Sequence, residues 1–375
     1  MSVIKEVKTQ THKWEAVQGT VTGSSHIQEN KVCQDKTYIM RQGSVLAAAL
    51  ADGAGSAVLS HHGAELVVRE TCRMLVEGFD RYYNSSTPLL LKKELLEKLI
   101  GELETMAQLY ECEVKDLAST LLSVAVKDDR FLVVHLGDGV VGYSRGSELK
   151  TASVPQNGEF ANTTYFVTSP QAFEMMKIRK GQSVEINGFI LMSDGSENSL
   201  YSRQRNELAP ILQRLLYRLS VTSSEYLEPV IQASLEDVIK KKTRDDCSLV
   251  LISKHLRTYD EMSDDEMNDF FDIRTSGKHA AFIRRKRYQE ILDALESPQS
   301  KSELQKAVGI KNGAYFERKW LIPLCNLGYI VRNKDDKYRR VVNSCQCSKK
   351  KEEVKQTAEE IVQTADVNIR SSDED

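Results

Sequence analysis

The sequence predicts an α+β sandwich rather than a parallel, doubly wound sheet. First, β-rich runs come as hairpins: "LLSVAVKDDRFLVVHLGDG" holds two such runs around an Asp-Asp-Arg turn. Second, long amphipathic stretches with helical spacing come in pairs between these runs, as expected for helices that cover antiparallel sheets. Third, the 375 residues exceed the roughly 250–300 at which a single core stops growing. A smaller second domain is therefore expected.

The elements of the larger domain, assigned to residues 1–257, follow in order. A helix is predicted over 63–83 from its apolar stripe, and a second over 87–109 from its repeated leucines after an early proline. The runs "FILMSDG" and "CSLVLIS" predict two buried strands. Between them, two more helices are predicted over about 203–219 and 223–242.

The last third of the chain contains three segments that differ in composition and in predicted structure. Residues 258–280 are rich in Asp and Glu with little periodicity, which predicts an acidic linker acting as a solvated spacer. Over 281–347, a helix, a helix–turn–helix and a β-rich hairpin follow one another, an order that resembles a winged helix. The charged residues 348–375 are predicted to be disordered or to form a lone helix.

The composition is that of a globular protein, with 41% hydrophobic and 28% charged residues. A net charge of −3 does not argue for nucleic acid or an anionic membrane as the main partner of the whole chain. Seven cysteines, an odd and scattered set, do not have the pattern of a disulfide framework. No stretch approaches the roughly 20 apolar residues of a membrane span, and the N-terminus does not resemble a signal peptide. These features predict a reduced, cytoplasmic protein without a membrane partner.

Three apolar runs end abruptly in an Asp-Gly pair, at Asp52, Asp138 and Asp194. Taken singly, each pair is most simply explained as a type I′ hairpin turn, which favours such residues. Three pairs in one domain favour a second explanation. Further acids stand just before β-rich runs, at Asp35 and at the pair Asp245-Asp246.

If the strands are neighbours, these carboxylates converge at one edge of the sandwich, where mutual repulsion and burial would raise their pKa values. Divalent cations would remove that conflict, and an all-oxygen ligand set favours Mg²⁺ or Mn²⁺ over zinc. Two such ions about 3.5–4 Å apart can activate a water for attack on phosphorus. The sequence also lacks the motifs of a protein nucleophile or a nucleotide-binding loop. It therefore predicts metal-dependent hydrolysis of a phosphate ester.

Five motifs in order resemble the metal-dependent serine/threonine phosphatases of the protein phosphatase 2C family, in particular its bacterial branch. They are "CQDKTY", "LADGAGSA", "LGDGVVGY", "LMSDGSEN" and "RDDCSLVLI", and the resemblance covers about residues 14–253. It implies a four-layer α/β/β/α sandwich of two antiparallel sheets flanked by helices. It also implies two catalytic Mn²⁺ or Mg²⁺ ions, a phosphorylated protein as substrate and a partner kinase.

The resemblance assigns metal ligands position by position: Asp35, Asp52, Gly53, Asp138, Asp194 and Asp245. Asp35 would bind one ion, and Asp52 would bridge both. Gly53 would contribute its carbonyl. Asp194 and Asp245 would bind the other ion, while Asp138 matches a position that holds a third, looser metal in several members.

Three departures from the family pattern are visible. His26 stands near where many members carry an arginine that grips the substrate phosphate, so it is either a phosphate contact or a solvent-facing loop residue. Ala54 stands where many members carry a histidine proposed as general acid, and neighbouring His61 and His62 would either compensate or be structural. Asp246 follows the last ligand in place of the commoner asparagine, a change expected to alter only local hydrogen bonding.

The winged-helix-like segment carries basic residues where DNA contact would require them: Lys311, Arg318, Lys319, Arg332, Lys334, Lys337, Arg339 and Arg340. Such contacts to phosphate give affinity and salt dependence. Winged helices also serve as protein-interaction or dimerisation modules. The partner of this segment is therefore either DNA or a protein.

Two functions remain open from the sequence, and the complete ligand set favours the first. The first is a metal-dependent protein serine/threonine phosphatase with an accessory domain. The second is a catalytically weak or inactive regulator that acts through its C-terminal domain, for which Ala54 and His26 leave room. A metal nuclease lacks support, because the basic residues cluster in the appended domain rather than around the aspartates.

Overall fold

The computed structural model describes residues 14–156, 164–221, 224–254, 263–274, 277–295, 297–327 and 329–340. Two five-stranded antiparallel sheets pack face to face. The first sheet has the order β1-β12-β9-β6-β7, and the second has the order β2-β3-β4-β5-β8. The strands of the first sheet are β1 (Trp14–Val21), β6 (Val140–Arg145), β7 (Glu148–Ser153), β9 (Ile186–Met192) and β12 (Cys247–Lys254). Those of the second are β2 (Lys36–Gln42), β3 (Val45–Ala51), β4 (Leu121–Lys127), β5 (Arg130–Leu136) and β8 (Lys177–Gln182).

A pair of helices covers the outer face of each sheet. Helices α2 (Ser60–Asn84) and α3 (Leu89–Leu109) lie over the second sheet, and α6 (Ile211–Val221) and α7 (Ser224–Ser234) lie over the first. The architecture is therefore the predicted four-layer α/β/β/α sandwich. Shorter elements connect the layers: α1 (Ser24–Gln28), a 3₁₀ turn (Val114–Leu117), α4 (Ala172–Met175), α5 (Asp194–Leu200), a π turn (Leu235–Ile239) and a 3₁₀ turn (Lys240–Lys242).

Strand β3 explains why its run of residues is wholly apolar. Successive side chains alternate between the two faces of a strand. Leu46 and Leu50 enter the core between the two sheets. Ala47 and Ala51 instead face the core beneath α2 and α3, where small side chains let the helices approach. Both faces are covered, so neither needs polar residues.

One predicted helix begins later than expected. The interval assigned to a helix over 203–219 starts with a small hairpin, β10 (Tyr201–Ser202) and β11 (Glu207–Leu208), and α6 begins only at Ile211. Pro210 precedes that helix directly, at a position where its fixed φ is compatible with a helix start. The other boundaries of α2, α3 and the predicted buried strands agree with the sequence analysis.

The C-terminal module contains three short antiparallel strands and several helices. Its elements are α8 (Asp264–Phe270), α9 (Lys278–Asp293), β13 (Gln299–Ser300), α10 (Lys301–Ala307), α11 (Gly313–Phe316), a π turn (Glu317–Leu321), α12 (Ile322–Asn326), β14 (Ile330–Arg332) and β15 (Lys337–Arg340). Its sheet has the order β13-β15-β14. The predicted order of helices and hairpin is thus present, while the winged-helix assignment stays a prediction. The tail assigned to 348–375 lies outside the described residues.

The solvated-spacer interpretation of residues 258–280 is wrong for its described part. Met267, Phe270, Phe271 and Ile273 are buried and belong to the core of the C-terminal module. Met267 and Phe270 lie on one face of α8 and Phe271 follows it directly, a signal that the high acid content obscured. The segment is therefore part of the module rather than a spacer.

The C-terminal module packs against the sandwich through α6. Tyr217 joins the hydrophobic core of the module, and its hydroxyl donates to the Gly146 carbonyl at 3.0 Å. The Arg218 guanidinium lies 5.5 Å from the centre of the Tyr329 ring. Gly146 connects β6 to β7, at the opposite end of β6 from Asp138. The module therefore contacts the end of the sandwich away from the strand ends that carry the aspartates.

Candidate active site

Five carboxylates lie at one end of the sandwich. Asp35 precedes β2, Asp52 follows β3, Asp138 lies between β5 and β6, Asp194 begins α5 after β9, and Asp245 stands just before β12. The antiparallel register explains the convergence, because the start of β2 pairs with the end of β3, Lys36 opposite Ala51. Acids far apart in the sequence are thus brought to the same edge, as predicted.

Burial and mutual repulsion raise the pKa values of three of these carboxylates. Burial raises the pKa of Asp52 well above its ordinary value. Four further charges raise that pKa again, those of Asp35, Asp194, Asp138 and Asp245. Burial likewise raises the pKa of Asp35 to about 7, opposed by the nearby hydroxyls of Ser193 and Ser248. It also raises the pKa of Asp194 to about 7, with added repulsion from Asp138, Asp245 and Asp35.

The donor set fits a hard divalent cation. Both carboxylate oxygens of Asp35 and Oδ1 of Asp194 are buried without a hydrogen-bond partner. Unpartnered buried carboxylate oxygens are costly unless a cation binds them. As they stand, no three Asp, Glu, His or Cys side chains in the described ranges are close enough to share one ion.

Hydrogen bonds hold the loop that carries Asp52. Its backbone N–H donates to Thr120 Oγ1 at 2.9 Å, and its carbonyl accepts from the Thr120 N–H at 2.8 Å. The Gly53 N–H donates to the Gln34 carbonyl at 3.3 Å. The buried Gln34 side chain in turn donates to Ser60 Oγ at 2.6 Å. The loops before β2 and after β3 are thereby tied together and to the start of α2.

A second network fixes the loop that carries Asp138. The Gly137 N–H donates to Gln156 Oε1 at 3.0 Å, and Thr164 donates its hydroxyl to Asp138 Oδ2. His135 Nε2 lies 2.9 Å from the Gly137 carbonyl. Burial lowers the pKa of His135 to about 4, so this histidine is neutral near pH 7. It therefore serves the loop as a hydrogen-bonding group, not as a charge.

The type I′ turn explanation of the Asp-Gly pairs is wrong. None of Gly53, Gly139 and Gly195 has a positive φ. Close approach explains the glycine instead at the third pair, where a Cβ on Gly195 would stand 2.0 Å from the Asp246 carbonyl oxygen. Any larger residue would push the segment before β12 away from α5.

The three departures from the family pattern have distinct environments. His26 lies on α1 with 8% of its surface exposed, which excludes the solvent-facing alternative, and its Nδ1 is 3.0 Å from Asp246 Oδ1. Ala54 is buried in a small apolar cluster. The rings of His61 and His62 have centres 4.0 Å apart and are tilted by 38°. Burial lowers the pKa of His61, and the charges of His62 and Lys36 lower it further.

The sequence places Asp246 beside Asp245 among the converging acids but assigns it no role as a ligand. It is 2% exposed and accepts hydrogen bonds from the backbone of two distant loops. The only sequence signal was a second acid directly after Asp245, at the head of a strand too buried to need it.

The basic residues assigned to nucleic-acid contact all belong to the C-terminal module and do not join the aspartates. Lys311, Arg318 and Lys319 are exposed around α11, and Lys334 and Lys337 are exposed in the hairpin. Arg332 is also exposed but is paired with acids, and Arg339 and Arg340 are half-buried.

Comparison with known proteins decides the family. Residues 22–240, more than half of the chain, match the family model described as protein phosphatase 2C. The chain belongs to the protein phosphatase 2C family. The predicted enzyme class, a protein serine/threonine phosphatase, is confirmed at this level.

Individual relatives match about two thirds of this chain and nearly all of their own length. Serine/threonine-protein phosphatase 3 of Escherichia coli (strain K12) is 26% identical over 253 residues, which cover 64% of this chain and 97% of the relative. Among solved structures, a bacterial serine phosphatase is 13% identical with a TM-score of 0.48, covering 65% of this chain and 99% of its own. The phosphatase Stp1 from Staphylococcus aureus is 14% identical with a TM-score of 0.46, covering 64% and 94%.

None of the helices that the structure describes is both long and apolar enough to span a membrane.

The raised pKa values predict that metal-free protein loses stability as the pH rises. Asp35 and Asp194 have folded-state pKa values of about 7 against an ordinary value of 3.8. The folded state therefore binds more protons than the unfolded state between these pH values, so stability falls across that window. With a chelator present, we expect the Tm to be about 4 °C or more higher at pH 6 than at pH 8.

Thermal denaturation with and without Mn²⁺ checks this prediction. Mn²⁺ should stabilise the protein most at pH 8, where the carboxylates are ionised. Asp194→Asn should flatten the pH dependence of the metal-free protein. A Tm that is equal at both pH values with chelator present would contradict the prediction.

Proposed function

We propose that this chain is a metal-dependent phosphatase that hydrolyses phosphoserine and phosphothreonine monoesters on proteins. One observation carries the proposal: five carboxylates from separate strand ends face one another, and burial and mutual repulsion raise the pKa of Asp52. The chain's membership of the protein phosphatase 2C family supports the same chemistry. A phosphoprotein substrate further implies a protein kinase that produces it.

Two divalent ions, Mn²⁺ or Mg²⁺, would be held by the residues assigned from the motifs: Asp35, Asp52, the Gly53 carbonyl, Asp194 and Asp245, with Asp138 available to a third ion. When bound, the two metal ions would supply positive charge for the phosphoryl oxygens and an activated water for direct attack on phosphorus. The chain contributes the positions of the oxygen ligands, fixed by the loops described above. It contributes no protein nucleophile in this proposal.

The buried alanine at position 54 bears on the leaving group. A buried methyl cannot donate a proton to a serine or threonine alkoxide. A phenolate leaves more easily without such help. The ratio of the rate on aryl phosphates to the rate on phosphothreonine peptides should therefore be higher for this chain than for family members that carry a histidine at this position.

Hydrolysis of an aryl phosphate and a phosphothreonine peptide by the full chain tests the proposal. We expect turnover that requires Mn²⁺ or Mg²⁺ and stops on addition of a chelator. A folded protein without turnover in any divalent metal would favour the alternative, an inactive phosphatase-like regulator that acts through its C-terminal module.

A second candidate function, nucleic-acid binding by the C-terminal module, has one observation in its favour. Residues 277–340 contain 15 Lys and Arg against 7 Asp and Glu, a net charge of +8 in a chain whose total is −3. Exposed Lys311, Arg318 and Lys319 lie around one helix of this module, with exposed Tyr315 between them. Clustered cations of this kind bind phosphate backbones and release counterions.

Binding of the full chain to a labelled DNA duplex at several salt concentrations tests the second candidate. We expect Arg318→Glu/Lys319→Glu to weaken binding at least about tenfold at low salt and to reduce the salt slope. The matched charge reversal Lys93→Glu/Lys115→Glu, at exposed sites on the phosphatase domain, should have little effect. Equal loss in both variants, or no binding at low salt, would leave protein interaction as the role of the module.

A further inference from the structure

The carboxylate of Asp246 joins three segments of the chain at the catalytic end of the sandwich. Oδ1 accepts from the Gly23 N–H at 2.7 Å, in the connection after β1. Oδ2 accepts from the Gln34 N–H at 2.6 Å and, more weakly, from the Asp35 N–H at 3.4 Å. Asp246 itself stands at the head of β12 and is 2% exposed. One buried side chain thus connects segments more than 200 positions apart.

A histidine ring also lies against this carboxylate. His26 Nδ1 lies 3.0 Å from Oδ1 of Asp246, and the His26 side chain is only 11% exposed. The same short helix has a second link to this strand end, because the Ser25 N–H donates to the Arg244 carbonyl at 3.0 Å. The position of α1 is therefore set by residues 244–246.

A carboxylate suits this position better than an amide. Backbone N–H groups approach both of its oxygens, and only an ionised carboxylate accepts through both. An asparagine would turn its NH₂ group toward one of these N–H donors. The acid also has a cost, since its charge adds to the repulsion on neighbouring Asp35. The hydrogen bonds, and not charge balance, therefore account for an acid here.

We propose that Asp246 is a positioning residue of the phosphatase site, which sets Asp35 through the backbone before β2 and sets His26 through its ring. This inference rests on the proposed function, since it concerns ligands of the same site. Asp245 precedes Asp246 directly, and the Asp246 N–H donates to Asp245 Oδ1 at 2.9 Å. One residue thereby fixes the spacing between a predicted ligand at the head of β12 and another at the head of β2.

Two variants separate positioning from charge. Asp246→Glu keeps the charge but moves the carboxylate by one methylene, while Asp246→Asn keeps the size and removes one acceptor and the charge. If position matters, both variants should raise the Kd for Mn²⁺, measured by calorimetry on the full chain, about 10–100-fold. At saturating Mn²⁺ their kcat on an aryl phosphate should remain reduced, because Asp35 and His26 are displaced.

A matched control lies on the same strand. Ser253 is buried at the other end of β12, and its hydroxyl donates to the Leu216 carbonyl at 3.0 Å. Ser253→Ala should lower the Tm while leaving the Kd for Mn²⁺ within about twofold of wild type. This control shows what a purely structural loss in β12 does to metal binding.

The outcomes are distinguishable. Weakened Mn²⁺ binding in both Asp246 variants, with an unchanged Kd in Ser253→Ala, supports the inference. Wild-type Mn²⁺ affinity and kcat in Asp246→Glu would overturn it, whatever Asp246→Asn does, because charge alone would then suffice. A wild-type protein that binds no Mn²⁺ and hydrolyses no phosphate ester would instead contradict the proposed function itself.

Discussion

Asp52→Ala is expected to abolish metal-dependent phosphatase activity, with kcat reduced by about 10²–10³-fold or more. Asp52 is the buried carboxylate on which four other charges act, and the proposal assigns it to both ions. Without it, the remaining carboxylates have no shared ligand to hold two cations side by side. Asp194→Ala should have a comparable effect, because its Oδ1 is one of the buried oxygens that lack a partner. Steady-state hydrolysis of an aryl phosphate over a range of Mn²⁺ concentrations measures both losses.

A control variant makes the same chemical change away from the site. Asp80 on α2 has a half-exposed side chain and pairs with Lys127 and Arg130 on the outside of the domain. Asp80→Ala should retain near wild-type kcat, since exposed ion pairs contribute about 0–1 kcal/mol. The metal-free Asp52→Ala protein should be at least as stable as wild type, because a repelled carboxylate has been removed. Substantial activity in Asp52→Ala would mean that the ions are held elsewhere.

Phe270→Ala is expected to destabilise the C-terminal module by about 3–5 kcal/mol. The ring is fully buried, stacks on Tyr329 with centres 4.3 Å apart and contacts Phe271 at 4.8 Å. Removing it leaves a cavity in the small core of the module, where few other side chains can compensate. Urea unfolding, followed together with limited proteolysis of the module, measures the loss.

Phe282→Ala provides the comparison within the same module. Phe282 is 51% exposed on α9, so the same truncation there should cost less than about 1 kcal/mol. If Phe270→Ala and Phe282→Ala behaved alike, residues 263–274 would be the solvated spacer that their acid content first suggested. A large difference would confirm that this segment is part of the folded module.

The convergence of the aspartates could be predicted because three of the acids end apolar runs and the other two stand just before β-rich runs. In antiparallel sheets, such strand ends have few possible neighbours. The positions of Asp52 and Asp194 could therefore be predicted with little knowledge of the tertiary structure. Asp246 was harder to recognise, since its role depends on N–H groups of Gly23 and Gln34 that lie over 200 residues away. No local pattern encodes such a contact.

The two errors in the fold have different causes. For residues 263–273, charge content masked an apolar face of only one or two turns, which tertiary burial then stabilised as α8. For residues 203–210, helical propensity continued through a stretch where a four-residue turn and Pro210 instead favour a hairpin before the helix. In both cases, contacts with neighbouring elements determined the secondary structure of a short segment, and its average composition did not.

The docking of the C-terminal module beside Gly146 has a geometric consequence for the whole enzyme. A macromolecule bound by that module would lie at the end of the sandwich opposite the candidate active site. It would therefore not cover the entrance to that site. Capture would then raise the local concentration of phosphorylated proteins around the active site. The binding surface of the module and the active site would be inhibited separately, so blocking one would leave the other unaffected.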